Sequence, residues 1–477
     1  MQPDQIQKHR YRFLAIASMG TFIGTLEGSI LNVALPTMAA ELNVAIDVIA
    51  WVVLAYQLTV VSLVMVFGAW AGRKGYPFAY KFGFIFLVIG SILCAVSTSM
   101  GPLLVGRVVQ ALGGAMFQAV GMGLITTAFP ASERGKGIGL MAMMVAVGLM
   151  IGPPLGGFML TAWPWQVIFY LSSAVAIVGT VMAYSFFHGF KSTISDKKIN
   201  ISGAVALSIC LLSGMLAMTV LDSRMKVEGP FGLLLLSSLI ALAVFIWRES
   251  KPGTALIGGD IFRNSQFRIS VAGMFLTFSA LSGALILVPF YLQDMRGYEP
   301  QTVGLFLIIL PITMMLIAPL SGRISDKIGF KALTVGGALI FAVGLYLLSA
   351  LKADSSNGYM VFGLTTVGIG VGIFNSPNTS AMMGSVKPQQ RPIASSINSS
   401  TRNIGMAFGV AVATTLFEAL TVGGQLPEGE QFVLKYRYVT YVCLSFALLA
   451  ALISGFRKNR LEDSSALTQD SVSEQIG

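Results

Sequence analysis

Charge is what this sequence has least of. Of its 477 residues 11% are charged, 31 Lys and Arg against 21 Asp and Glu, where roughly a quarter is usual for a soluble domain. That figure excludes an ordinary soluble enzyme and a disordered chain. Cysteine is nearly absent. Cys94, Cys210 and Cys443 each lie inside an apolar stretch, with no CxxC pair and no neighbouring histidine, so a disulfide scaffold and a metal centre are not expected. The two histidines, His9 and His188, stand near the ends of apolar stretches and leave no Ser-His-Asp constellation, and no Walker A loop occurs. The chain is therefore not expected to be an enzyme, and no catalytic residue, cofactor or metal is assigned.

Apolar residues are what the sequence has instead: 55% hydrophobic, with a mean hydropathy of +0.77. A hydrocarbon core of about 30 Å needs roughly 20 apolar residues per helix. Fourteen stretches qualify, near 13–36, 48–70, 79–99, 102–127, 137–160, 165–187, 201–221, 230–247, 268–293, 303–321, 332–351, 360–383, 396–419 and 437–456. The first follows Lys8, Arg10 and Arg12 but has no small-residue cleavage site, so it is expected to be a retained helix. The expected class is an all-α polytopic membrane protein.

The net charge of +10 does not point to nucleic acid, because the bases stand in twos and threes at the ends of apolar stretches. With a cytoplasmic N-terminus, the inner segments hold about four bases for each one outside, and Arg107 and Arg402 fall within spans. Such a bias supports fourteen crossings with both termini cytoplasmic. The connections near 188–200 and 248–267 are too short to fold as domains. The polar end of the chain, 458–477, is expected to be a disordered cytoplasmic tail.

An internal repeat shows in two loops. Gly68-Ala-Trp-Ala-Gly72-Arg73-Lys-Gly75-Tyr-Pro77 follows the second stretch and Gly322-Arg-Ile-Ser-Asp326-Lys327-Ile-Gly329-Phe-Lys331 the tenth, with Gly, a base and Gly at matching offsets. Two six-helix halves related in this way are the layout of the major facilitator superfamily. The first stretch carries Leu26-Glu27-Gly-Ser-Ile30-Leu-Asn32-Val33-Ala34-Leu35-Pro36, which resembles the signature of the fourteen-span drug/proton antiporters, and Trp51 to Leu58 continues the match. Arg107-Val-Val-Gln110-Ala-Leu-Gly113-Gly114 is similar to the superfamily's Arg-x-x-Gln-Gly-x-Gly segment. Gly148-Leu-Met-Ile-Gly152-Pro153-Pro-Leu-Gly156-Gly157 resembles the antiporter motif, and Asn375 to Asn378 and Asn398 to Gly405 also read like this family.

The resemblance implies a major facilitator fold: a six-helix bundle at 1–188, two inserted central helices in 189–255, and a second six-helix bundle at 256–457. Several positions depart from the pattern. Glu27 replaces the usual Asp, Gly72 stands where the first loop normally has an acid, Tyr76 and Pro77 stand where two bases are expected, and the segment Trp163 to Phe169 lacks its usual Arg.

Glu27 is the one carboxylate well inside a predicted span, about 14 residues from one end and about 9 from the other. An ionised carboxylate there costs several kcal/mol unless it is paired, hydrated or protonated. That suits a group taking a proton on one side and releasing it on the other, although a permanently neutral Glu bonded to helix backbone fits the same position. Arg107 cannot deprotonate, and either stands near the proton path or snorkels to the outer headgroups.

Gly148, Gly152 and Gly156 recur every four residues, a ridge for close helix packing expected to face a partner helix across the bundle interface. Pro153 stiffens or kinks that helix, and Gly157 completes the motif. Asp326, with Lys327 and with Arg73 of the first loop, is either a solvated turn or a latch in which the acid meets a base or a helix N-terminus of the opposite surface and closes the inner side. Asn32, Gln57, Gln110, Gln118, Asn375 and Asn378 are the candidate cavity residues, since a buried amide needs a partner and a cavity supplies one.

Without a nucleotide-hydrolysing motif, energy must come from an ion gradient. The expected function is proton-coupled antiport exporting amphipathic, cationic drugs or toxic compounds by alternating access around a midplane site. The alternative is a translocase of lipid or lipid-like amphiphiles. The expected partners are a lipophilic small molecule, protons and membrane lipid, for a monomer in a bacterial plasma membrane.

Overall fold

The computed structural model of the protein describes residues 9–44, 46–49, 51–187, 200–224, 230–249, 260–298, 300–352, 354–420 and 428–457. The tail expected to be disordered lies outside them. Among these residues the secondary structure is helical, as a lipid environment requires of a chain that must satisfy each backbone N–H and C=O within its own segment. The long helices are α1 (Arg10–Leu42), α2 (Trp51–Lys74), α3 (Tyr76–Ala95), α4 (Met100–Ala128), α5 (Arg134–Ala162), α6 (Gln166–Phe186), α7 (Ile201–Arg224), α8 (Pro230–Glu249), α9 (Ser265–Leu285), α10 (Ile309–Ile328), α11 (Phe330–Ser349), α12 (Asn357–Gly384), α13 (Arg391–Ala419) and α14 (Glu428–Gly455).

Twelve described helices are long and apolar enough to cross a membrane, two fewer than expected, and the chain is a multi-pass membrane protein. For α7 the residues whose side chains are described run only from Ser202 to Ala217, an apolar segment shorter than a full span. In α13 the first half carries Arg391, Ser395, Ser396, Asn398, Ser399, Ser400, Thr401, Arg402 and Asn403, which leaves 29 helical residues too polar to qualify by hydropathy.

The repeat seen in the loops has a backbone counterpart. Gly75, between α2 and α3, has φ 86° and ψ 167°; Gly329, between α10 and α11, has φ 88° and ψ 175°. A side chain at such φ is strained, so glycine is the residue that permits either turn.

The chain divides into two compact units. The first comprises 1–129, 143–261 and 387–404. Within it α4 packs on α1, α2 and α3, α6 packs on α1 and α3, and α7 packs on α2 and α8. Its core gathers Leu26, Ile30, Leu31, Val52, Cys94, Leu103, Trp165 and Phe169. The α7–α8 pair meets α2 through Ala69, Ala204, Leu207 and Phe245, and Ser208 Oγ donates to the Ser62 carbonyl at 3.0 Å. Between α7 and α8 lies a groove of about 840 Å³ lined mainly by aliphatic side chains, including Val205, Ile209, Leu233, Leu236 and Ile240.

The second unit comprises 130–142, 262–386 and 405–477. There α12 packs on α9, α10 and α11, and α14 on α9 and α11, around a core that includes Phe278, Leu287, Tyr291, Phe341, Leu345 and Tyr436.

Candidate functional site

Glu27 sits on α1 at 2% exposure, so its carboxylate must be met by protein. The partners come from α4. Arg107 and Gln110, three residues apart and hence on one helix face, both turn toward it. Arg107 Nη1 lies 3.5 Å from Glu27 Oε1, and Gln110 Nε2 donates to the same oxygen. Gln110 is itself fixed on both sides: its Oε1 accepts from Arg107 Nη1, and its Nε2 also donates to Ser91 Oγ of α3 at 2.8 Å.

Arg107 is locked further by donating Nε to the Val52 carbonyl of α2 at 2.9 Å, and its guanidinium lies 4.5 Å from the Tyr56 ring centre. The arginine is therefore 2% exposed and reaches inward; the snorkelling alternative does not describe it. Glu27 Oε2 has no hydrogen-bond partner. The cluster is thus a buried ion pair with one carboxylate oxygen left over, where a proton can bind without first breaking an existing bond.

The glycine ridge of α5 leans on the same stretch of α1. A Cβ at Gly148 would collide with Thr25 Oγ1, one at Gly152 with Ser29 Oγ, and one at Gly156 would lie 3.1 Å from Ile30 Cγ2. Ser29 Oγ also donates to the Gly148 carbonyl at 3.1 Å. The expectation that this ridge faces a helix across the bundle interface is corrected: its partner is α1 in the same unit, because Thr25 and Ser29 recur with the same four-residue spacing and fill the glycine gaps. A Cβ at Gly157 would meet nothing within 4 Å, so this glycine takes no part in the packing.

The candidate cavity amides scatter. Gln110 belongs to the Glu27 cluster. Gln57 is exposed and Asn375 partly buried. Gln118 on α4 meets α13, its carbonyl accepting from Ser399 Oγ at 2.9 Å and its Oε1 from Asn403 Nδ2 at 3.4 Å. Asn378 is fully buried; it donates to the Ser270 carbonyl at 3.1 Å and accepts from Arg457 Nη2, so it braces α12 against α9 and the end of α14. The side chains of Asn32 and Pro153 lie outside the described residues.

At the start of α5, Asp326 Oδ1 accepts from Gly135 N at 2.9 Å and Oδ2 from Lys136 N at 3.1 Å. An acid capping a helix N-terminus satisfies otherwise orphaned donors. Lys327 is exposed, and Arg73 partly buried with its Nη1 unpartnered. Sequence reasoning did not find Ser91, Tyr56 or the Val52 carbonyl. Serine and tyrosine in an apolar helix carry no sign of which neighbour they meet, and a carbonyl is invisible in a side-chain pattern.

Comparison with known proteins gives the same frame. The chain is 30% identical over 460 residues to the riboflavin transporter RibZ of Clostridioides difficile, spanning 96% of this chain and 99% of that protein. It is 27% identical over 417 residues to the multidrug resistance protein Stp of Mycobacterium tuberculosis, spanning 85% of this chain and 75% of that one. The crystal structure of the human organic anion transporter MFSD10 matches with a TM-score of 0.67 at 14% identity, over 93% of this chain and 99% of that one. The Major Facilitator Superfamily model matches residues 17–410 and 274–471, and with helices of this length and a repeated glycine turn in both halves, the chain belongs to that superfamily of small-molecule transporters.

Proposed function

We propose that this protein is a proton-coupled antiporter that exports amphipathic small molecules by alternating access, with Glu27 as the proton carrier and Arg107 and Gln110 as the groups that hold it. The single observation carrying the reading is the buried Glu27–Arg107 pair with one carboxylate oxygen free. Ionised Glu27 is held by a fixed cation, Arg107, and one amide donor, Gln110 Nε2. A proton on the free oxygen cancels the charge, and the attraction of a dry ion pair goes with it. Because Gly148, Gly152 and Gly156 pack on the turns flanking Glu27, a change in the seat of α1 is passed to α5. Resistance proteins among the relatives support export of foreign compounds.

On this reading α7 and α13 also cross the membrane, for fourteen spans with both termini cytoplasmic in a bacterial plasma membrane. Two six-helix bundles, 1–188 and 256–457, are joined by α7 and α8. At 24 and 29 residues α7 and α13 are about 36 and 43 Å long, enough to span. Hydroxyls and amides in α13 are tolerated where the helix lines a polar cavity. Asp326 acts as the latch of the cytoplasmic side.

The test is uptake into proteoliposomes under an imposed pH gradient. Glu27→Gln keeps the size and the hydrogen bonds but removes the titration, so gradient-driven transport should vanish while insertion and folding persist. A mutant as fast as the parent overturns the reading. A second reading, movement of a heterocyclic metabolite, is favoured by the riboflavin transporter relative; riboflavin competing with dye transport would support it. Lipid translocation is less well served, since the α7–α8 groove offers only the hydroxyls of Ser202 and Ser237 and no charged group for a headgroup.

A further inference from the structure

Arg402 is a cation in the middle of a helix with nothing to balance it among the described residues. It stands 11 residues after the start of α13 and 17 before its end, about 16 Å and about 26 Å along the axis. Burying a guanidinium at that depth is costly and it cannot shed its proton. The other arginines placed inside the protein are held. Arg107 has Glu27, Gln110 and the Val52 carbonyl; Arg391 donates to the Thr126 carbonyl at 3.0 Å; Arg457 donates to Asn378. Arg402 has no hydrogen bond, ion pair or charged neighbour among the described residues, and its surface is of intermediate exposure.

Its surroundings are polar and incomplete. At 100° per residue Ser395, Asn398, Ser399 and Arg402 share one face of α13, with Asn403 beside it. Ser399 and Asn403 tie that face to Gln118, while Ser395 Oγ and Asn398 Oδ1, at 0% and 3% exposure, are buried without partners. The guanidinium and the Ser395 hydroxyl are donors that an anion's oxygens can meet, whereas Asn398 Oδ1, an acceptor, is not.

No comparable site for a cation is found among the described residues. Glu27 is the carboxylate described in mid-span, and it is engaged by Arg107 and Gln110. The cationic substrate expected from the sequence therefore finds no second carboxylate in mid-span among the described residues.

We propose that Arg402 receives the anionic group of the transported molecule, and that the substrates are small amphipathic organic anions bearing a carboxylate, held by Arg402 with Gln118 and Asn403 alongside. This rests on the transporter reading given above and adds the sign of the substrate's charge. The carboxylate would take the guanidinium in a bidentate pair, with the apolar body of the molecule left to the surrounding aliphatic and aromatic side chains.

The experiment uses two xanthene dyes of nearly equal shape and opposite charge, fluorescein and rhodamine 123. Their equilibrium binding to the purified full-length protein is measured by fluorescence polarisation with no gradient present. The expected result is fluorescein binding that weakens at least tenfold in Arg402→Gln, recovers in part in Arg402→Lys, and weakens less in Gln118→Ala. Size-exclusion elution and melting temperature identify a variant that has merely failed to fold, and in that case the Lys variant decides. Fluorescein binding equal in parent and Arg402→Gln overturns the proposal, as does binding of rhodamine 123 alone or of neither dye. Because no gradient is used, failure of the Glu27 reading leaves this outcome untouched; it would appear only as pH-independent transport.

Discussion

The two copies of the repeated loop end differently, although their backbones match at Gly75 and Gly329. In the second copy Gly322 packs against the Gly135 carbonyl, and Asp326, four residues on, accepts from Gly135 N and Lys136 N at the start of α5. In the first copy Gly68 packs against Ser396 and the Pro392 carbonyl, and Gly72, again four residues on, lies near the Gln389 carbonyl just before α13. Helices α5 and α13 both follow a short 3₁₀ turn and both open with Arg, Arg134 and Arg391. The residue after that Arg is Gly135 in one helix and Pro392 in the other. One turn has an acid and two N–H donors; the other has neither the acid nor, because of proline, one of the donors.

The comparison is broken most severely at Gly135. A Cβ there would collide with the Gly322 carbonyl and come within 2.7 Å of Ser325 Oγ and 2.8 Å of Asp326 Oδ1. Backbone cannot give way as a flexible side chain can, and overpacking of this kind costs about 1–3 kcal/mol. Gly135→Val should therefore lower the melting temperature by several degrees and cut transport sharply. At the other latch a Cβ on Gly72 would stand 3.8 Å from the Gln389 carbonyl, an ordinary contact, so Gly72→Ala should stay within about 0.5 kcal/mol of the parent. Equal effects at the two sites would show that the latches do not differ in packing.

How much of this was legible beforehand differs by level. Helix existence was, because long apolar stretches with bases at their ends admit few other structures. So was the repeat, since Gly75 and Gly329 are demanded by the turn itself. The burial of Glu27 is readable from its depth alone, but its partners are split. Arg107 and Gln110 stand three residues apart on one helix and could be paired on paper, whereas Ser91 and Val52 belong to other helices and only packing brings them in. The ridge of α5 is legible as a packing face but its partner is not, because Thr25 and Ser29 look like ordinary helix residues until glycine is set against them. The stretch expected at 396–419 takes in much of the polar first half of α13, Arg402 included, and that half is why the helix falls short as an apolar span.

A smaller effect is expected from charge alone. Asp326→Asn keeps one acceptor oxygen and the side-chain volume but loses the negative charge at the α5 N-terminus. Such an anion contributes about 0.3–1 kcal/mol when exposed and up to about 2 kcal/mol when partly buried. With about 1.4 kcal/mol equal to a factor of ten, conformations with and without this contact should redistribute by up to about thirtyfold. Solvent accessibility of a cysteine placed at Lys136, read by maleimide labelling rate, checks it. An unchanged rate would leave Asp326 as an ordinary turn residue.

The smallest effect, and the one that sharpens the comparison most, comes from rebuilding the lost latch. Gly72→Asp returns a carboxylate to the position matching Asp326, but the helix it faces can offer only the N–H of Ile393, because Pro392 has none. One charge-assisted bond in place of two should give a small gain, and desolvation of the new carboxylate offsets part of it. Gly72→Asp alone is therefore expected to leave the labelling rate of a cysteine at Lys74 within about twofold of the parent. Adding Pro392→Ala restores the missing donor, and the pair of changes should slow labelling by more than the product of the single effects. That non-additivity is the signature of two groups in direct contact. If the double variant is merely the product of the singles, Gly72 and Pro392 do not face each other as Asp326 and Gly135 do, and the loss of the first latch was not a paired event.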